Sequence, residues 1–186
     1  MLLVFNQVAV VTWRILQFRA GPQDIPYSKT LTQIIVLLAV LAEFAQYRLT
    51  LSPGPAIVHA LISIAAMAGF IFLILQTRGL LSRLQQTVNA LFITGSALTV
   101  VLLPPLSAIT PHMLKIAQNP DLAQTEPLPA LPALAVMALT LWGFMVAAHI
   151  FRHALNTNMA VGAAMALLTA LVTVSFASGI SMLIGA

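Results

Sequence analysis

Five long apolar runs, almost free of charge, constrain the fold of this chain more than any other feature. They cover residues 30–47, 55–76, 88–106, 131–151 and 159–184. Each is close to the roughly 20 apolar residues that a helix needs to cross a bilayer. Apolar side chains occur around the whole circumference of each run and do not alternate with polar ones, which disfavours a β-barrel. The sequence therefore predicts an all-α, polytopic integral membrane protein with five transmembrane helices.

Composition excludes an ordinary soluble domain. Only 6% of the 186 residues are charged, eight basic and four acidic, whereas soluble domains carry roughly 25%. Because the chain has no cysteine, a disulfide, a thiolate nucleophile and a cysteine-ligated metal site are excluded. In a soluble chain the net charge of +4 would suggest nucleic acid, but here the few basic residues are better interpreted as topology signals. No nucleic-acid partner is expected.

The first 20 residues form a separate segment, because Arg14 interrupts their apolar run before it is long enough to span. One side of a helix there is polar, with Asn6, Gln7, Arg14 and Gln17, and the other is apolar, with Leu3, Val4, Val8, Val11, Ile15 and Phe18. This pattern predicts an amphipathic interfacial helix in the headgroup plane, with a cleaved signal peptide as the alternative. We expect residues 1–29 to form this helix and its connector, and residues 30–186 to form the transmembrane domain.

The basic residues predict the orientation of the chain. With a cytoplasmic N-terminus, the inner segments hold Arg14, Arg19, Lys29, Arg78, Arg83 and Arg152, and the outer segments hold only Arg48 and Lys115. The positive-inside rule therefore predicts a multi-pass protein of the cell membrane, such as a bacterial inner membrane, with its C-terminus, Asp121 and Glu126 outside. Anionic phospholipid headgroups are the expected partners of the basic inner face, formed by Arg14, Arg19, Arg78, Arg83 and Arg152. Gln85, Gln86, Asn89, Asn156 and Asn158 add polar groups to this face.

Connections and small residues predict how the helices pack. The short link at residues 49–54 favours an antiparallel hairpin of the first two spans. Residues 107–130 are expected to form an outer cap without a long helix, because of prolines in and beside them, with one or two helical turns at 113–118. Three pairs of small residues occur four apart: Ala65 and Gly69, Gly143 and Ala147, Gly162 and Ala166. We interpret them as packing within the bundle, with a homo-oligomer or partner-subunit interface as the alternative.

Glu43 is the only acid within any span. Ionisable groups at this depth are costly and mark a pair or a function. His59 lies at a similar depth on the next helix, and Gln46 and Tyr47 follow within one turn, so these four residues form a candidate intramembrane polar cluster. It is interpreted as a pair that fixes the helix register, with a proton or cation site and an outward-reaching carboxylate as the alternatives.

His149 and His153 are spaced i, i+4, a separation that metal and haem sites use. Arg152 lies between them and no carboxylate is near in sequence, so we interpret them as interfacial histidines and predict no metal and no cofactor. Nucleotide-binding, zincin and hydrolase motifs do not occur. Hydroxyl side chains in the last span are expected to bond to their own helix or a neighbour, at Thr169, Thr173, Ser175, Ser178 and Ser181.

The connector GPQDIPYS at residues 21–28, between an amphipathic segment and five spans, resembles small bacterial membrane proteins of the Yip1 type. The resemblance implies five spans and no catalytic residue; such proteins are linked to membrane trafficking in eukaryotes and have no agreed activity in bacteria. We therefore expect a non-enzymatic accessory or scaffold subunit of a membrane assembly. The alternatives are a small proton- or cation-coupled transporter that uses Glu43 and His59, and a lipid-acting membrane enzyme.

Overall fold

The computed structural model describes residues 2–125 and 127–184. Glu126, predicted to lie outside, is not among the described residues, and neither are the side chains of Leu3, Val4 and Ser181. The helices within the described residues are α1 (Leu2–Leu16), α2 (Lys29–Tyr47), α3 (Pro53–Thr77), α4 (Leu84–Gln118), α5 (Ala130–Ala154) and α6 (Met159–Ile184). Five of these described helices, α2 to α6, are long and apolar enough to cross a membrane. The predicted all-α class and its five spans are confirmed.

Local chemistry sets where the helices begin and turn. Ser28 caps α2, because its Oγ accepts a hydrogen bond of 3.3 Å from the backbone N–H of Leu31. Asn158 does the same at the start of α6, where its Oδ1 accepts from the N–H of Val161 at 3.0 Å. Gly79, with φ of +68°, lies just after α3, in a conformation that favours glycine. These signals keep the connections at this end of the bundle short.

The five long helices pack side by side and close into a ring. Each contacts two neighbours, in the order α2, α3, α6, α5, α4 and back to α2, and α3 also contacts α4. The predicted hairpin of α2 and α3 is confirmed. The end of the ring near Lys29, Arg78, Arg83 and Arg152 is called the basic end below, and the other end is called the opposite end.

The predicted cap at residues 107–130 is wrong in its first half. Helix α4 continues without a break to Gln118 and contains Pro104, Pro105 and Pro111. Each proline removes one helical hydrogen bond, but its fixed φ near −65° is already helical. The other backbone groups of this segment keep their helical hydrogen bonds, because a bilayer offers few alternative partners to groups that lose them. At 1.5 Å per residue, residues 107–118 lengthen α4 by about 18 Å.

Helix α1 has the predicted amphipathic character, but its apolar face packs against protein. Val8, Val11 and Ile15 are buried in the core formed with α4 and α5, whereas Asn6 and Arg14 are exposed. These three side chains therefore face the protein core and not lipid. Tertiary contacts supply the burial that the sequence pattern assigned to lipid.

Candidate functional site

Glu43 lies where α2, α3 and α4 meet. It lines a cavity of about 50 Å³, and Ser96 and Thr99 of α4 contribute hydroxyl groups to the same wall. A water molecule occupies about 30 Å³ in the liquid, so the cavity has room for one or two waters. Ser96 already donates a hydrogen bond of 2.7 Å to the carbonyl of Phe92. The site is therefore a carboxylate in a small, partly polar pocket.

Tyr47 continues the polar cluster one helical turn towards the opposite end. Its hydroxyl and the Oγ of Ser63 share a hydrogen bond of 2.8 Å, and its ring centroid lies 5.3 Å from that of His59. His59 and Ser63 are buried, and Gln46 is half-buried. The structure brings Tyr47 and His59 together, while the pairing of Glu43 with His59 stays a prediction.

Towards the basic end, the Glu43 cavity is closed by apolar side chains. Ala39, Leu91 and Phe92 line its wall and are buried in the core. Further in this direction, Oγ1 of Thr32 accepts a hydrogen bond of 3.0 Å from Nδ2 of Asn89. Thr32 lies eleven residues before Glu43, which is about 16 Å along a helix. A layer of packed apolar side chains thus separates Glu43 from the basic end.

Arg83 ties two helices together at the basic end. Its Nη1 donates hydrogen bonds to the carbonyls of His153, at 3.2 Å, and Ala154, at 3.0 Å. These carbonyls belong to the last turn of α5, where a cation is favoured by the helix dipole and by unpaired carbonyl groups. Arg83 is thus held against α5 through Nη1, and its predicted contact with lipid headgroups stays a prediction.

The polar residues that follow Arg83 hold the connector and α2. Nε2 of Gln86 donates to the carbonyls of Gln23, at 3.1 Å, and Ile25, at 3.2 Å. Nε2 of Gln85 donates to Oγ1 of Thr32 at 2.9 Å. The prediction that these glutamines form part of the inner surface missed their structural role, because their partners lie more than 50 residues away in the sequence.

A polar cavity of about 280 Å³ opens between these groups at the basic end. It is lined by Pro22, Gln23, Arg83, Gln86, Thr87, His153, Ala154 and Asn156. The connector forms one wall, and the ends of α4 and α5 form the other. We call it the basic-end cavity.

His149 is buried, whereas His153 is half-buried. His149 is only 4% exposed, and its Nε2 donates a hydrogen bond of 2.9 Å to the carbonyl of Ala20. Its ring also packs edge-on against Phe18, at 5.4 Å, and His153, at 4.6 Å. Nη2 of Arg152 donates to Nε2 of His153 at 3.1 Å. The interfacial interpretation of His149 is wrong, because the connector covers it.

Three of the five basic residues predicted to meet lipid are exposed, namely Arg14, Arg19 and Arg78. The other two, Arg83 and Arg152, are engaged within the fold as described above. In α6, Thr169 donates to the carbonyl of Met165 and Thr173 to that of Thr169, which confirms the expected bonding of these two hydroxyls to their own helix. No group of three or more histidine, aspartate or glutamate side chains that could hold a metal occurs among the described residues.

Two of the three small-residue pairs pack inside the bundle, as predicted. A side chain at Gly162 would collide with the backbone of α5, and one at Gly143 would touch Leu98. The third pair faces open space, since nothing lies within 4 Å of a Cβ built at Gly69. Ala65 and Gly69 line a groove of about 750 Å³ between α3 and α6. A second apolar groove, of about 670 Å³, lies between α1, α2 and α4.

Comparison with protein-family models, curated proteins and solved structures finds no match to this chain. The fold therefore defines its class: a helical protein with five helices, within the described residues, that are able to span a membrane.

Proposed function

We propose that this protein is a non-enzymatic accessory or scaffold subunit that binds a transmembrane helix of another polypeptide chain. The groove between α3 and α6 carries the proposal. It measures about 750 Å³, against about 50 Å³ for the cavity at Glu43, and its walls are aliphatic and aromatic. The large concave surface thus lies on the flank of the bundle, where another helix can reach it.

Small residues make this groove better suited to a helix than to disordered lipid chains. Helices in a membrane associate by close packing, which glycine and alanine permit. The chain uses the same device internally, because Gly162 allows α6 to approach the backbone of α5. At Gly69 no atom of another helix within the described residues packs against the glycine. Glycine inside a helix nevertheless costs about 1 kcal/mol of stability relative to alanine. A partner helix offsets that cost.

The test fills the groove without disturbing the bundle. Gly69→Leu places a large side chain in open space, and Gly179→Leu is the matched control, because nothing lies within 4 Å of a Cβ at either position. The mass of the assembly is measured by native mass spectrometry after extraction from the host membrane in a mild detergent. We expect the wild-type chain and Gly179→Leu to carry a defined partner, or a second copy, that Gly69→Leu loses.

A wild-type chain that is a single polypeptide in mild detergent, and that forms no defined cross-linked product in the membrane, contradicts the proposal. An assembly that survives Gly69→Leu shows that the groove is not the contact surface.

A second candidate is a proton- or cation-coupled transporter that uses Glu43 and His59. The observation in its favour is the position of Glu43 at an interior cavity, with Tyr47, Ser63 and His59 next along the path to the opposite end. Because packed apolar side chains close the other direction, ion entry is expected from the opposite end only. Transport would then require α2, α3 and α4 to separate on the basic side.

Proteoliposomes with an internal pH dye test this second candidate. Glu43→Gln keeps the size of the side chain but removes its charge, and Gln33→Ala is a control at an exposed residue of the same helix that does not line the Glu43 cavity. A proton flux that Glu43→Gln abolishes and Gln33→Ala preserves would establish transport. Equal rates in all three proteoliposome preparations leave only the scaffold proposal.

The lipid-acting enzyme has less support, because His149 is buried and hydrogen-bonded to the connector. We further propose that the N-terminus is cytoplasmic, the C-terminus is outside, and the exposed Arg14, Arg19 and Arg78 contact anionic phospholipids of a bacterial inner membrane. A cysteine introduced in place of Ala160 or Asn158, labelled by an impermeant reagent, reports which side holds the basic end. Membership of the Yip1-type family is likewise a proposal, and it is compatible with a scaffold role.

A further inference from the structure

The basic-end cavity offers an unusual set of hydrogen-bond donors. Nη1 of Arg83 is occupied by α5, but within the described residues no bond uses its Nε or Nη2. These groups retain three N–H donors in a planar arrangement. Because α5 holds the guanidinium in place, little side-chain entropy remains to be lost when a ligand binds.

His153, at the end of α5, and Asn156, in the turn after it, add donors to the lining of the cavity. Nε2 of His153 accepts a hydrogen bond from Arg152, so in the neutral imidazole the proton lies on Nδ1, which is then a donor. Asn156 lies at the turn after α5 with φ of +52°, and its side chain is exposed at the cavity. Three donor-bearing residues thus line one cavity.

Charge at the cavity is predominantly positive. Arg83 lines it and Arg152 contacts His153. Asp24 interacts electrostatically with His153, but its Oδ2 is held by the backbone N–H of Gly21 at 2.8 Å. The carboxylate is therefore fixed on the connector, and an anion is favoured beside Arg83.

Size and position restrict the ligand further. A volume of about 280 Å³ is at the lower limit of ligand pockets, which measure roughly 300–1,000 Å³. It suits a polar head rather than an acyl chain. The cavity lies at the ends of α4 and α5, and the ends of helices that span a bilayer lie near its headgroups. A planar guanidinium fork matches the oxygen atoms of a phosphate, and Oε1 of Gln86 can accept from a neighbouring hydroxyl group.

We propose that the basic-end cavity is a binding site for a phosphate ester that carries a free hydroxyl group, such as the glycerol phosphate head of an anionic lipid or the corresponding soluble ester. Arg83 binds the phosphate oxygens, His153 and Asn156 complete the contact, and Gln86 accepts from the hydroxyl group. The proposal is independent of the scaffold role, which depends on the groove between α3 and α6.

The test compares two arginines that lie at the same end of the bundle. Arg83→Lys keeps the charge and one contact to α5 but removes the planar fork. Arg78→Lys makes the same change at an exposed residue that is not part of the cavity lining. Asn156→Gly removes the amide while keeping the positive φ, which glycine adopts without strain, so it tests the site even if Arg83→Lys does not fold.

Two arms distinguish the sources of the phosphate. In maltoside detergent, which carries no phosphate, glycerol 3-phosphate is titrated and its binding is followed by ³¹P NMR. In the second arm, each variant is reconstituted into nanodiscs that contain equal amounts of phosphatidylglycerol and phosphatidylcholine. The nanodiscs are then dissolved in the same detergent, and the lipid that stays bound to the protein is identified by native mass spectrometry. Preferential retention of phosphatidylglycerol assigns the site to a lipid, and binding of glycerol 3-phosphate alone assigns it to a soluble ester.

We expect Arg83→Lys and Asn156→Gly each to weaken binding by about tenfold, as loss of hydrogen bonds to a charged group does, and Arg78→Lys to change it by less than twofold. Equal weakening by Arg78→Lys would reduce the site to general surface charge. Absence of binding by the wild-type chain in both arms would refute the proposal, whatever the outcome of the Gly69→Leu experiment.

Discussion

Gly162 is the position where one added methyl group has the largest calculable effect on the bundle. It lies in the first turn of α6, directly against α5. A Cβ at this position would overlap the carbonyl oxygen of Ala148, and it would lie 3.0 Å from the backbone nitrogen of Arg152. These atoms are backbone, so no side-chain rotation relieves the overlap. In Gly162→Ala, α5 and α6 must therefore move apart.

The expected change in the free energy of unfolding combines two terms. Alanine is favoured over glycine inside a helix by about 0.5–1 kcal/mol. Overpacking of a close contact costs about 1–3 kcal/mol, and the backbone neighbours at Gly162 place the variant in the upper part of that range. We expect Gly162→Ala to be destabilised by about 1–2 kcal/mol, and Gly69→Ala, in open space, to be stabilised by up to about 1 kcal/mol.

The assay is reversible unfolding of both variants in the same detergent, followed by far-UV circular dichroism. The comparison removes helix propensity, because the substitution is the same and both positions are inside helices. A Gly162→Ala variant as stable as wild type would show that α5 and α6 do not pack as closely as the structure describes. If Gly69→Ala were destabilised as much as Gly162→Ala, the space beside Gly69 would not be open.

Three further changes test the contacts described above by the same unfolding measurement. Pro111→Ala restores a helical hydrogen bond and should stabilise the chain by about 0.5–1.5 kcal/mol, whereas a loss of stability would indicate a loop at residues 107–118. Tyr47→Phe removes the hydrogen bond to Ser63 and should destabilise by about 0.5–1.5 kcal/mol, with no further loss when Ser63→Ala is added; additive losses would mean that the two side chains are not coupled. His149→Phe keeps an aromatic ring but leaves the carbonyl of Ala20 unpaired, so we expect a loss of about 1–3 kcal/mol, and an unchanged stability would place that carbonyl in water.

The spans were predictable because a bilayer permits few alternatives to a helix. The predicted run 131–151 lies within α5, and 159–184 coincides with α6. The start of the third run at residue 88 was four residues late, since Gln85 and Gln86 are polar and reduce the local hydropathy. The prolines of α4 were misjudged because a rule derived for soluble helices was applied to a helix that leaves a membrane.

The contacts at the basic end could not be predicted from sequence. Arg83 bonds to residues 70 and 71 positions away, and Gln86 bonds to the connector 61 and 63 positions away. Polar residues near the end of a span fit a lipid-facing surface as well as they fit a structural contact. Only the packing of α4 against α5 and the connector decides between the two, and that packing depends on residues throughout the bundle.

The distribution of polar atoms inside the bundle explains why Glu43 separates the candidate functions. Thr94, Ser96 and Thr169 donate to carbonyls of their own helices, so their hydroxyl hydrogens are already used and offer little to a passing substrate. Glu43 is different, because its ionised form has no hydrogen to donate and needs donors, water or a cation. A scaffold requires only that these demands be met by one or two waters in the 50 Å³ cavity. Transport also requires that the apolar layer formed by Leu91 and Phe92 open, and each of those buried side chains contributes about 1.5–3 kcal/mol while it stays closed.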